Sequence, residues 1–318
     1  MGTKIKKSIP YILSLIAFVA FIVYVYKNAD QYRELLQFSM GSLVLQVGLM
    51  ILFTICHGLN NHLFFRGLNV PLSYNEGIGL AAINMLANQL PFTGGVIAKG
   101  VYLKQRYQLS YTRFFSATLA LYNCFVVANG FVGLSILLYW RFVDQIVFTP
   151  WLFIVFAGMT ATLFMFWVPF DYPFLPAKIR KHLLSLAEGW QVLAKNGVLV
   201  GQLMGVQILL LVIFAWRFWI AFHMLSQEVR LSQCLLFAAA TIVISLVNIT
   251  PGGLGIREVI VGGVASLLGF DTAVSVIAVG IDRLISTLVI IVMGAVYSFI
   301  LSSNLTAAKS IVNDETHP

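Results

Sequence analysis

Apolar residues run along this chain in long stretches near 8–26, 41–57, 112–139, 149–169, 198–222 and 272–301. About 20 apolar residues match the hydrocarbon thickness of a bilayer, so each stretch predicts a membrane-spanning helix. Two further regions are apolar but interrupted. The first, 75–110, is broken from Pro91 to Gly95, and the second, 231–270, from Pro251 to Gly255. A break in hydrocarbon frees backbone N–H and C=O groups that lipid cannot satisfy, so it is expected only inside protein or beside a polar cavity. The pattern predicts an all-α polytopic membrane protein forming a single transmembrane domain over 1–318. It would have about six full spans and two broken, re-entrant helical hairpins.

The two interrupted regions match at a constant offset of 160: Asn88, Pro91 and Gly95 fall on Asn248, Pro251 and Gly255. Thr112 falls on Thr272, and Tyr122 and Asn123 on Asp282 and Arg283. Matched breaks followed by matched long helices predict an internal repeat, with repeat-like segments at 75–139 and 231–301. The basic residues orient it. If each broken region returns to its own side, twelve of sixteen loop Lys and Arg residues are cytoplasmic. Lys27, Arg33, Arg141 and Arg230 are then outside. Single crossings would divide the same sixteen seven inside and nine outside. The positive-inside rule favours the first arrangement, with both termini cytoplasmic. Three spans separate the hairpins, so they would enter from opposite faces as an inverted repeat.

Composition changes the picture little. The chain has 318 residues, 59% hydrophobic and 10% charged, and a mean hydropathy of +0.90, which excludes an ordinary soluble domain. The net charge of +8 reads as basic loops beside anionic lipid, not as a nucleic-acid surface. Lys4, Lys6 and Lys7 precede the first apolar run in the manner of a signal peptide. No small-residue cleavage site follows, so a retained first helix is expected. In 176–196, Ile179, Leu183, Leu186, Trp190 and Leu193 recur at helical spacing between basic residues. That pattern predicts an amphipathic helix on the cytoplasmic surface, or an ordinary connecting helix. Cys56, Cys124 and Cys234 sit in apolar segments and read as buried thiols.

Charges inside the apolar segments are the candidate chemistry: Lys99, Arg217, Arg257, Glu258, Asp282 and Arg283. Neighbours on a helix point about 100° apart, so Arg257 and Glu258 need different partners, as do Asp282 and Arg283. Crossed pairs are expected, Arg257 with Asp282 and Glu258 with Arg283. They either lock a hairpin to the last helix or leave one arginine for an anionic headgroup. Arg257 is the preferred candidate, because Gly252, Gly253 and Gly255 let a ligand approach the backbone beside it. Lys99 binds phosphate or snorkels to the surface. Arg217, between Trp216 and Trp219, is expected to snorkel at the outer interface. Asn88 and Asn248 are expected to satisfy backbone groups freed at the breaks and, secondarily, to contact substrate, with Pro91, Gly94, Gly95, Pro251, Gly252, Gly253 and Gly255 as helix-break or hinge residues. No spacing calls for a metal, a nucleotide or another cofactor.

The stretch Thr-Pro-Gly-Gly-Leu-Gly-Ile-Arg-Glu from Thr250 to Glu258 resembles the Pro-Gly-Gly-x-Gly-x-Arg-Glu signature of the lysylphosphatidylglycerol synthase transmembrane region family, the flippase-like integral membrane proteins. The segment from Asn88 to Arg106 resembles that family's earlier motif. It has Val96 where an acidic residue is usual, and Lys99 near the usual Arg. The resemblance covers roughly 10–300. It implies a region that moves aminoacylated phosphatidylglycerol between leaflets in bifunctional members, where a separate domain makes that lipid. This chain, closing at Pro318, is read as a stand-alone member without the synthase domain.

The expected function is a non-enzymatic lipid transporter, or flippase, of the plasma membrane. It would move an anionic or phosphate-containing lipid: a phospholipid, an aminoacyl-lipid or a polyprenyl-linked lipid. Arg257, with Lys99 and Arg283, would bind phosphate, and Glu258 and Asp282 would balance charge or accept protons. The alternatives are an intramembrane enzyme using Asp282 as a base or metal ligand, and an accessory subunit of glycolipid or cell-envelope lipid assembly. A glycosyltransferase or lipid synthase would be the partner of that subunit.

Overall fold

A computed structural model describes residues 39–89, 94–146, 149–167, 190–191, 193–245 and 256–315, without the side chains of 165–167, 242–245 and 305–315. Every regular element among them is helical. In chain order these are α1 (Met40–Gly67), α2 (Tyr74–Ala87), α3 (Gly94–Tyr107), α4 (Tyr111–Phe142), α5 (Pro150–Ala161), a 3-10 segment (Thr162–Trp167), α6 (Gly197–His223), α7 (Leu231–Ser245), α8 (Ile256–Leu267) and α9 (Thr272–Glu315).

The helix starts follow local chemistry. Side chains of Ser39, Ser73, Ser110 and Asn196 accept from the backbone N–H three residues on, and Asp271 accepts from Ala273 and Val274. Each satisfies a donor that the first helical turn leaves free. α3 runs into α4 through Gln108 (φ 55°), and α8 into α9 through Gly269 (φ 80°).

Among the described residues four helices are long and apolar enough to cross a membrane: α1, α4, α6 and the Thr272–Asn304 part of α9. They match the expected stretches beginning at 41, 112, 198 and 272. α1 continues ten residues past 57, through a polar segment carrying Asn60, Asn61 and His62. The stretch 149–169 differs from expectation, because its α-helix stops at Ala161 and a 3-10 turn follows. The stretch 8–26 lies outside the described residues, as do Pro91, Asn248, Pro251, Gly252, Gly253 and Gly255. Most of 176–196 is also outside; of its expected apolar face, Trp190 and Leu193 are buried.

Each broken region gives a pair of short helices. The first arm of each pair packs on the long helix that follows the other pair: α2 on α9 and α7 on α4. Glycine permits the close approaches. A side chain at Gly294 would strike Leu86 of α2, one at Gly79 would strike Tyr297 and Leu301 of α9, and one at Gly130 would strike Met159 and Thr160. In a bilayer, where burial of apolar surface drives little between helices, such small-residue contacts hold a bundle together. Two large apolar clusters result, with a smaller one around Cys56, Val206 and Leu210. One surrounds α2 and α3 with Phe64, Phe65, Leu103 and Phe114. The other surrounds α7 and α8 with Phe218, Phe222, Phe237 and Val261. α6 passes through both. The outward faces of the long helices carry exposed Leu119, Phe131, Leu284, Leu288 and Phe299, as lipid contact requires.

Candidate functional site

Asp282 is fully buried on α9. Its partner is Arg217 of α6, whose Nε donates to Oδ1 and Nη2 to Oδ2, both at 2.9 Å. Gln46 of α1 adds a donation from Nε2 to Oδ1 at 2.8 Å. The expected pair of Arg257 with Asp282 is therefore not formed. Nor does Arg217 snorkel: it is only 3% exposed. The reason is geometric. α6 carries Arg217 on the face turned into the bundle, and a planar guanidinium matches both carboxylate oxygens at once. The second expected pair is present, with Arg283 Nη1 donating to Glu258 Oε1 at 2.9 Å.

Arg257 is consequently left over. Among the described residues three guanidiniums face two carboxylates, one positive charge in excess. Among the described residues no carboxylate lies within ion-pair distance of Arg257. Its guanidinium sits 5.4 Å from the centroid of Phe214, a ring that also takes Arg217 at 5.3 Å. A cation over an aromatic face is stabilised by roughly 2 kcal/mol when desolvated, less than burying an unpaired charge costs. Arg257 is also the second residue of α8, where the free N–H groups of the first turn add positive potential.

Arg257 lines a cavity of about 250 Å³ whose wall also includes Asn88, from the other hairpin. The rest of its described polar lining is Asn84, Gln89, Gln207, Ser286 and Arg217, with His57 and Tyr122. A smaller cavity of about 60 Å³ adjoins it, sharing His57, Asn84, Tyr122 and Phe125, and contains Lys99. Lys99 Nζ donates to Asn61 Oδ1 at 3.1 Å, and Asn61 Nδ2 to the carbonyl of Gly77 at 2.9 Å. One asparagine of α1 thus ties α2 to α3. Asn88 Oδ1 accepts from the backbone N–H of Gly95 at 3.0 Å, the role expected of it at the break. Gly94 and Gly95 open α3 as its first helical turn. A Cβ at Gly94 would stand 2.7 Å from the carbonyl oxygen of Ala87.

Residues that the sequence reading passed over complete the site. Gln46, His57, Asn60, Asn84, Gln207 and Ser286 are polar positions inside apolar helices, and that isolation was the available signal. Glu76 was also missed. Its Oε2 accepts from Tyr107 at 2.7 Å and from Ser73, and its Oε1 from Tyr102 at 2.9 Å, with Arg106 Nε 3.9 Å away. Ser73 and Glu76 form a capping box, legible as Ser-x-x-Glu before an apolar run. The three cysteines are free and buried.

Of the Arg257–Glu258 and Asp282–Arg283 doublets, only Arg257 is among the described residues that line the cavity. Residues 11–294 match the family described as Lysylphosphatidylglycerol synthase TM region. The chain belongs to that family. A multi-pass membrane protein with a lipid-related function is what this membership supports. No curated protein and no solved structure matches the chain. In this member of the lysylphosphatidylglycerol synthase transmembrane region family, the signature residues Arg257 and Glu258 part company: Glu258 closes an ion pair, and Arg257 faces the cavity.

Proposed function

We propose that this protein is a lipid transporter of the plasma membrane that carries a phosphate-containing headgroup through the cavity between its two hairpins. The observation that carries the reading is Arg257: a cation at a helix N-terminus, facing a cavity, in a cluster with one positive charge in excess. An anion entering the cavity would neutralise it, and a phosphate accepts the planar guanidinium in two parallel hydrogen bonds. Asp282 and Glu258 hold Arg217 and Arg283, so they keep the site in shape; neither offers a free carboxylate to the ligand. The acyl chains would stay in the bilayer.

The distribution of basic residues supports an inverted, re-entrant arrangement of the two helical pairs. The helix ends also keep the offset: Tyr107 and Leu267 close α3 and α8, 160 residues apart. Both hairpin apices would then approach mid-membrane, where inverted-repeat transporters bind substrate. The reading with Asp282 as a catalytic base loses support, since Arg217 and Gln46 engage both of its oxygens.

Leaflet exchange of labelled phospholipid in reconstituted vesicles tests the proposal. Arg257→Ala is expected to abolish exchange while the purified protein keeps its elution profile and helical content. Undiminished exchange in that variant would remove Arg257 from the mechanism.

A further inference from the structure

The cavity also discriminates between headgroups. Resting on the reading of this cavity as a headgroup site, we propose that its ligand is a phosphodiester bearing a neutral, hydroxyl-rich group, and not a cationic aminoacyl headgroup. The argument is one of charge. Among the described residues lining the cavity there is no Asp or Glu; its two formally charged side chains are Arg217 and Arg257. The residues of the two breaks, 90–93 and 246–255, contain no acid either. An ammonium brought into this space would meet like charge and no carboxylate among the described lining residues, and a desolvated unpaired cation is strongly disfavoured. Aromatic faces could substitute for a carboxylate, but Phe53 and Phe214 already carry guanidinium groups at 5.3–5.4 Å.

What the cavity does provide suits hydroxyls. Four amides, Asn84, Asn88, Gln89 and Gln207, line it together with Ser286 and Tyr122. Asn84 Oδ1 is buried and has no hydrogen-bond partner among the described residues. An acceptor in that state costs about 1–3 kcal/mol until a donor reaches it, and a ligand hydroxyl is such a donor. Phe125 and Tyr122 add apolar faces for a ring or a glycerol backbone. The volume of about 250 Å³ lies below the roughly 300–1,000 Å³ of sites for drug-sized ligands. A single small headgroup fits this volume.

Two lipids share this chemistry, phosphatidylglycerol and a polyprenyl phosphohexose. The purified protein would be offered an equimolar mixture of both with lysyl-phosphatidylglycerol, and retained lipid weighed by native mass spectrometry. Either or both hydroxylated lipids should be retained at least roughly tenfold over the lysyl lipid, and which one is retained identifies the source. Equal or preferential retention of the lysyl lipid would overturn the inference. Because this reads binding, it stands apart from leaflet exchange, whose absence for all three lipids would sink the transport reading instead. Asn88→Asp supplies a second arm: it keeps the acceptor for Gly95 N–H and adds a negative charge to the lining. Retention in that variant should shift toward the lysyl lipid; an unchanged ratio would count against the charge argument.

Discussion

Arg217 shows how one buried side chain can reassign several others. Because it grips both oxygens of Asp282, Arg257 is displaced from the partner that spacing suggested and turns to the cavity. Removing one member of a buried pair leaves an uncompensated charge and costs about 3–5 kcal/mol, whereas replacing both with apolar groups is often close to neutral. Arg217→Leu is therefore expected to lower the thermal midpoint in detergent sharply. Arg217→Leu combined with Asp282→Asn should recover most of that loss, and additive losses in the double variant would contradict a direct pair. Residue identity alone announced that these charges matter. It did not announce which would pair, because adjacent positions on a helix diverge by about 100° and the partner depends on which face α6 presents.

Between elements, the first hairpin is held at both ends. At its open end Glu76 of α2 gathers Tyr102 and Tyr107 of α3. At its closed end the absence of a side chain at Gly95 lets α3 start against Asn84 and Asn88. A Cβ at Gly95 would come within 2.6 Å of the side-chain oxygens of both asparagines, which neither can wholly yield without giving up the Gly95 N–H bond or the cavity wall. Gly95→Ala should cost about 1–3 kcal/mol and open the hairpin to limited proteolysis between residues 88 and 95. Glu76→Ala forfeits a capping box as well as two tyrosine hydroxyls. A loss of about 0.5–2 kcal/mol is expected for the cap alone, read as a lower unfolding midpoint, with Glu76→Gln retaining part of it. Of these devices the capping box and the paired glycines could be read along the chain. The tyrosine contacts could not, since they join residues 26 and 31 positions apart whose meeting depends on the turn at the break.

For the molecule as a whole, the exchange of partners, α2 with α9 and α7 with α4, makes the two halves interdependent, and both contribute to one polar cavity through Asn88 and Arg257. An inverted arrangement puts the ends of the two hairpins on opposite sides of the membrane. Single cysteines report this, because Cys56, Cys124 and Cys234 are buried and should stay unreactive in the folded protein. Gln105→Cys is expected to react with a membrane-impermeant maleimide from the cytoplasmic side only, and Thr272→Cys from the opposite side only. Labelling of both from one side would rule out the inversion.

Hydropathy by itself determined that the chain is helical and embedded in lipid. It marked α4, α6 and the membrane-spanning part of α9 to within a few residues, while α1 runs ten residues past its stretch. These properties follow from transfer of side chains and backbone into hydrocarbon, which depends on local composition. The offset of 160 and the family signature likewise needed no coordinates. Tertiary structure alone decided that Asp282 belongs to Arg217, that Arg257 faces a cavity, and that four amides line it. Those facts rest on distances between helices remote in sequence. In a medium with little hydrophobic drive between helices, such distances are set by glycine contacts and by the pairing of buried charges, and neither has a period that can be read along a chain.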